Sequence, residues 1–354
     1  MKVNGRKIGP GAPCFVIAEM SANHAGDLER ALAIVRRAKE SGADAIKLQT
    51  FTPESMTLKS KKHYFQITGH KVWGGKTLFE IYSQGATPFE WHQPIKKEAT
   101  RLGLGCFSTP FDASAVEFLE KIGMPAYKIA SFELVDDPLL KTIARTGKPV
   151  IMSTGMASLE EIEHAMDVLK KHGCCEIALL KCISVYPAKL SQMNIRTIPD
   201  LIKRFNVVVG LSDHSLGDIA ATTAVASGAS IIEKHFCLDR QTETLDSFFS
   251  LTPEEMKTMV KSIRQTEEAL GKAFYGPDEE EKKNLKYRRS IFTCRAIKKG
   301  EMFSTQNIRV IRPGQGLSPK YFEKILGTKA KGDINEAEPL RPSMIGQGIL
   351  QGKE

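Results

Sequence analysis

The sequence predicts an α/β chain: a (β/α)8 TIM barrel followed by a small β-rich domain. Three observations predict it. From Cys14 to Gly271 short apolar runs alternate with amphipathic helical stretches, the pattern of a parallel α/β fold. Eight such runs fall in about 260 residues, as a (β/α)8 barrel needs. After Gly271 the chain turns to short strand-like pieces punctuated by Gly, Pro and Asn.

The eight strand candidates, in order, are residues 15–18, 45–48, 104–107, 126–129, 150–152, 177–181, 207–211 and 231–234. Helix starts are marked independently. Thr87-Pro88-Phe89-Glu90 and Thr252-Pro253-Glu254-Glu255 place Thr at the cap, Pro at the first helical position and Glu at the third, and Ser158 to Glu161 repeats the box without Pro. Residues 50–86 are too long for an ordinary βα connection and are rich in Lys, His and aromatics, so they are expected to cover the barrel mouth. Residues 272–284 read as a charged linker. Within 285–354 the strand-like pieces are 290–294, 302–303 and 308–311, in a domain marginal alone.

Composition narrows the function classes. The chain has 354 residues, 42% of them hydrophobic, and no apolar run near the length of a membrane span, so a soluble cytoplasmic protein is expected. Seven cysteines without a CxxC pair read as reduced thiols. The formal charge of +9 is concentrated in 285–354, which holds 14 Lys and Arg against 6 Asp and Glu, a net of +8. No nucleic-acid motif or aromatic platform accompanies it. A solvated face or an anionic small-molecule partner fits better.

Chemistry gathers where strands end. Two apolar strands each close on a histidine: VVVGLSDH ends at His214 and ASIIEKHF reaches His235, with a helical interval between them. As parallel neighbours they bring two imidazoles to one sheet edge. A lone strand-end histidine is ordinarily satisfied by local carbonyls, but two at matched ends point to a divalent metal. Glu19, with Asn23 and His24, follows strand one; Lys47 and Gln49 end strand two; Ser108 and Thr109 end strand three. Lys128, Ser131 and Glu133 follow strand four, Ser153 and Thr154 strand five, Ser184 and Tyr186 strand six. A Lys inside an apolar strand is costly unless its ammonium meets an anion, so Lys47 and Lys128 predict a negatively charged ligand.

The stretches VIAEMSANHAG, AIKLQTFTP, FSTPFD, AYKIASFEL, IMSTGMAS, YPAK, VGLSDHSLGD, IIEKHF and DSFFSLTPEE together resemble the N-acetylneuraminate synthase family of phosphoenolpyruvate-condensing enzymes. SIFTCRAIKKGE and RPGQGLSP resemble the antifreeze-like SAF domain that completes these synthases. Within the family, FTPESMT and WGGKTLFEIYSQGATPFEW look most like its pseudaminic acid synthases, with N-acetylneuraminate or legionaminic acid synthases as the alternative.

The resemblance implies condensation of phosphoenolpyruvate with an N-acetylated amino sugar, here 2,4-diacetamido-2,4,6-trideoxy-L-altrose, by a domain-swapped homodimer. It implies that Lys47, Thr109, Ser131 and Ser153 hold phosphoenolpyruvate, with Lys128 and Ser184 close by. His214 and His235 would bind Mn2+ or Mg2+. Glu133 would activate water, and Glu19, Tyr186 and Asp246 would orient sugar hydroxyls or metal-bound groups, the acid and base roles among Glu19, Glu133 and Asp246 staying open. Arg312 would touch the sugar from the partner subunit. Three departures bear on these roles: Ala25 and Ser184 replace Asn residues common elsewhere in the family, and Thr242-Glu243-Thr244 replaces a Gly-rich approach to Asp246. Two other readings are a metal-dependent barrel aldolase or isomerase without phosphoenolpyruvate, and a non-catalytic sugar-binding or ice-interacting protein.

Overall fold

The computed structural model describes residues 1–69 and 72–346. It divides into two compact units, Met1–Gly271 and Lys272–Glu354. In the first, eight parallel strands close into a barrel: β1 (Phe15–Glu19), β2 (Ala45–Thr50), β3 (Gly105–Pro110), β4 (Tyr127–Ile129), β5 (Val150–Ser153), β6 (Ile177–Cys182), β7 (Val208–Asp213) and β8 (Ile231–His235). Each pairs with the next, and β8 closes on β1 with Ile231 opposite Phe15 and His235 opposite Glu19. Helices α1 (Leu28–Glu40), α2 (His92–Arg101), α3 (Ala113–Lys121), α4 (Asp137–Ala144), α5 (Leu159–Lys171), α6 (Thr197–Phe205), α7 (Ile219–Ala226) and α8 (Pro253–Leu270) form the other layer.

Strand alternation makes two cores. Val16, Ile46, Ile129, Met152, Leu179 and Leu211 pack in the cluster that includes the helices, while Phe15, Ile17, Ala45, Phe107, Ala126, Ile151, Leu180 and Ile231 fill the barrel. The same alternation carries the next inward position of seven of the eight strands, all but β7, to Glu19, Lys47, Thr109, Lys128, Ser153, Cys182 and Glu233. The top of the barrel is thus polar. Most strands run one to three residues past the apolar runs, as in the pairings Gln49 with Thr109 and His235 with Glu19, because the ladder uses backbone groups whatever the side chain.

The bottom is closed by an element outside the eight-strand reading. Lys2–Val3 pairs with Arg6–Lys7 across Asn4-Gly5, both at positive φ, and Val3 and Ile8 join the barrel core. Asn-Gly is the hairpin signal that marks it.

Helix caps follow the sequence at Ser158, whose hydroxyl accepts from the Glu161 amide while Glu161 accepts from the Ser158 amide, and at Thr252, whose amide donates to Glu255. The Thr87 box does not form. Thr87 Oγ1 bonds His24 Nε2 at 3.2 Å instead, and Phe89–Trp91 is a 3-10 turn ahead of α2. The long connection after β2 holds two short helices, Pro53–Met56 and Leu78–Gly85, the latter capped reciprocally by Thr77 and Glu80. Of this stretch, His70 and Lys71 lie outside the described residues.

In the second unit β9 (Ser290–Thr293) and β10 (Ile308–Ile311) form an antiparallel pair, and Ile291, Ile297, Phe303, Ile308, Ile325 and Leu340 make its core. The stretch expected as linker contains a short helix, Glu279–Lys282. Among the described residues no helix is long and apolar enough to cross a membrane.

Candidate active site

The buried polar layer is organised around two lysines. Lys47 Nζ lies 2.7 Å from Glu19 Oε2 and 3.5 Å from Glu233 Oε1, and donates to Thr109 Oγ1 at 3.0 Å. Lys128 Nζ donates to Ser153 Oγ at 2.6 Å and stands 3.7 Å from the same Glu233 oxygen, which also accepts from Ser212 Oγ at 3.1 Å. All are buried. Burial disfavours the Lys47 ammonium, but the Glu19 and Glu233 carboxylates outweigh it and hold its pKa above the ordinary range. For Glu233 burial is likewise outweighed, by Lys128 and Lys47, and its pKa falls. Lys128 has the weaker compensation, and burial lowers its pKa. A cation so placed gains most from an arriving anion.

After β5 a backbone amide and two hydroxyls converge in a recess. Ser131 Oγ accepts from the Gly155 amide at 3.1 Å, and a Cβ at Gly155 would stand 2.6 Å from that oxygen and 2.3 Å from Ser184 Oγ. Only glycine lets both hydroxyls and this amide converge. Glu133, on the turn after β4, has a buried Oε2 without a hydrogen-bond partner among the described residues, and burial lifts its pKa to about 7.

The two histidines meet as β7 and β8 predict, their ring centroids 5.4 Å apart. His214 Nδ1 lies 2.9 Å from Ile183 O, so in the neutral ring it carries the proton and leaves the Nε2 lone pair free to accept or to ligate a metal. His235 Nδ1 is buried without a hydrogen-bond partner among the described residues, and burial keeps this imidazole neutral, well below its ordinary pKa. Burial disfavours the His214 imidazolium, but Cys182 and the Ile183 carbonyl outweigh it and raise its pKa. The adjacent rings, with His235 neutral and its Nδ1 unpartnered among the described residues, fit a divalent ion. Asp246 Oδ2 is 3.9 Å from His235 Nδ1, yet among the described residues no three His, Cys, Asp or Glu side chains converge as a complete ligand set. Such a pair leaves most coordination positions for water and substrate, the form of an open site.

Behind the pair, Lys234 Nζ donates to Asp213 Oδ2 and to Ser215 O, both at 2.6 Å, tying together the strand ends that carry the histidines. Tyr186 packs tilted against His214, ring centroids 4.4 Å apart, and edge-on to His235 at 6.4 Å, with Phe249 4.7 Å from His235.

Several expected residues serve elsewhere. Asn23 Nδ2 donates to Phe236 O and Ser250 Oγ, His24 accepts from the Gly26 amide, Ser108 joins Thr50 and His92, and Thr154 donates to Leu180 O. These bonds brace the loops. Asp246 is held in place despite the departure before it: Thr244 Oγ1 donates to Asn23 Oδ1 and accepts from the Ser247 amide, and Asp246 Oδ2 accepts from Ser21 Oγ at 2.5 Å. Arg312 is exposed in the second unit, just after β10. Glu233, Ser212, Gly155 and Cys182 were not among the expected site residues. Period-two alternation from Ile231 and Leu180 is the signal that reaches Glu233 and Cys182.

Comparison with known proteins decides the family. The NeuB family model matches residues 34–275, more than half of the chain, and the SAF domain model matches residues 288–346. The chain belongs to the NeuB family. Among its NeuB-like relatives, the pseudaminic acid synthase of Campylobacter jejuni is 47% identical over 92% of this chain and 95% of its own length. The N,N′-diacetyllegionaminic acid synthase of the same organism is 36% identical over 92% and 98%. The crystal structure of N-acetylneuraminic acid (sialic acid) synthetase from Leptospira borgpetersenii, in complex with citrate, superposes with a TM-score of 0.72 at 31% identity, covering 80% of this chain and 94% of that one.

Proposed function

We propose that this chain condenses phosphoenolpyruvate with open-chain 2,4-diacetamido-2,4,6-trideoxy-L-altrose to give pseudaminic acid and phosphate. The observation that carries the reaction class is a buried two-lysine pocket, with a hydroxyl and amide recess, beside two adjacent imidazoles. The higher identity to the pseudaminic than to the legionaminic enzyme of one organism, 47% against 36%, supports the choice of sugar.

In this reading Lys47 and Lys128 receive the anionic groups of phosphoenolpyruvate, and Thr109, Ser131, Ser153, Ser184 and the Gly155 amide fix its oxygens. Charge-assisted hydrogen bonds in such a pocket are the strong kind. Glu19 and Glu233 hold the Lys47 ammonium in place before substrate arrives. His214 and His235 would hold Mn2+ or Mg2+, which when bound supplies Lewis-acid polarisation of the sugar aldehyde. C3 of the enol forms the new bond to the aldehyde carbon. Water adds at C2 and gives its proton to the Glu133 carboxylate, whose pKa of about 7 poises it near neutrality. The C2–O bond to phosphate then breaks, leaving the 2-keto acid and inorganic phosphate. Asp246 and Tyr186 orient the sugar. Arg312 is assigned a sugar contact in a domain-swapped homodimer, acting on the partner subunit's barrel.

Mass spectrometry of products from phosphoenolpyruvate and a panel of acetamido sugars tests the proposal. The diacetamido altrose is expected to give a nonulosonic acid with one phosphate released per product. Turnover of N-acetylmannosamine or the legionaminic precursor instead would move the chain to another branch.

A further inference from the structure

The connection after β2 is fastened to the stretch that carries Asp246. Trp73 Nε1 donates to Leu245 O at 3.0 Å, and a Cβ at Gly85, at the end of the short helix Leu78–Gly85, would lie 3.2 Å from Leu245 Cδ1 and 3.5 Å from Ala22 Cβ. The connection is braced on itself as well, by the bridge between Gln66 and Thr77. Leu245 directly precedes Asp246. The Trp73 ring lies 5.9 Å from Tyr186 and 6.4 Å from Phe248, and Tyr186 in turn packs against His214. An ordered line therefore runs from the lysine pocket through the imidazole pair and Tyr186 to Trp73.

Resting on the reaction proposed above, we infer that Trp73 is a specificity-determining residue that receives the far, apolar end of the sugar. With the reacting aldehyde carbon at the histidines, the carbon chain extends away from the lysines toward Tyr186 and Trp73. The wall there is indole and phenyl surface whose indole N–H is already spent on Leu245. A C6 methyl or an acetamido methyl buries favourably against such a surface. A C6 hydroxyl set against the ring carbons of Trp73 would give up water and gain no bond from the ring face, which is disfavoured. The same residue that seats the connection on the mouth thus reads the deoxy end of the substrate.

The test uses the full-length metal-loaded protein. Trp73→Ala is expected to raise KM for the diacetamido altrose at least tenfold with phosphoenolpyruvate affinity, measured by calorimetry, within twofold of the parent, and to narrow the preference for the 6-deoxy sugar over its 6-hydroxy analogue. Trp73→Phe keeps the ring and loses the bond to Leu245, so it should retain most of that preference. The chain has two tryptophans. In a Trp91→Phe background, Trp73 emission is expected to change on titration with the non-reacting sugar alditol in the presence of phosphoenolpyruvate. Unchanged preference in Trp73→Ala, or emission that ignores the alditol, would overturn the inference. A parent enzyme that makes no product from any sugar would instead sink the reaction itself.

Discussion

Lys47 Nζ sits 2.7 Å from Glu19 Oε2 with both groups buried, so an ion pair is sealed inside the barrel before any ligand arrives. Glu233 shares the same ammonium. Lys47→Met leaves these carboxylates without their cation, and breaking a buried pair on one side costs about 3–5 kcal/mol. A large drop in denaturation midpoint together with loss of phosphoenolpyruvate binding is expected. The double variant Lys47→Met with Glu19→Gln should recover much of the stability and none of the binding. Calorimetry and denaturant titration separate the two effects.

Gly155 makes a second prediction. A methyl group there collides with the hydroxyls of Ser184 and Ser131, both ends of rotatable side chains, so Gly155→Ala should fold but scatter the recess. The expected result is a rise of about tenfold or more in KM for phosphoenolpyruvate, since one or two charge-assisted hydrogen bonds at about 1.5–3 kcal/mol each are lost. Sugar KM should change far less. Steady-state kinetics with each substrate varied in turn checks this.

The metal prediction follows from the imidazole pair. His214→Ala and His235→Ala should each abolish measurable Mn2+ binding by calorimetry and abolish turnover, while the thermal midpoint of the metal-free protein stays near that of the metal-free parent. Exhaustive chelation of the parent should remove activity and added Mn2+ or Mg2+ should restore it. Full activity in chelated protein, checked by elemental analysis, contradicts the assignment.

Glu133 sets a pH dependence whose sign is fixed by the direction of its shift. Burial raises its carboxyl from 4.5 to about 7. As a base it must be ionised, so kcat/KM is expected to fall as pH drops through about 7, and Glu133→Gln should lose most of the activity together with that limb of the profile. A raised carboxyl also costs the fold stability as pH climbs from 4.5 to about 7, because the native state must then ionise a buried group. Glu133→Gln is accordingly expected to melt higher than the parent at pH 8, with the difference vanishing toward pH 5.

Much of this was legible in the chain because a barrel strand is a near-continuous apolar run, and eight of them suffice to name the architecture. The strand-end lysines and histidines stood out because each is expensive where it sits. Side chains whose meaning lies in their partners were harder to read. Glu233 is an ordinary glutamate until the barrel closes and sets it between Lys47 and Lys128, and Gly155 shows its role only beside Ser131 and Ser184, which come from two other strand ends. The Thr87 box failed because a buried neighbour, His24, offered its hydroxyl a better bond than the helix did. The bottom hairpin was readable from Asn4-Gly5, but it lies ahead of the alternating pattern that organised the rest.

Condensation with cleavage of the bond between C2 and the phosphate oxygen is read out by isotope transfer. Phosphoenolpyruvate labelled with 18O in the bridging oxygen is incubated with the diacetamido altrose and the Mn2+-loaded protein. The label is expected in the released phosphate, with one unlabelled solvent oxygen at C2 of a nonulosonic acid. Label retained in the sugar acid would show cleavage between phosphorus and oxygen, and sugar conversion without any phosphate release would show a barrel aldolase or isomerase instead.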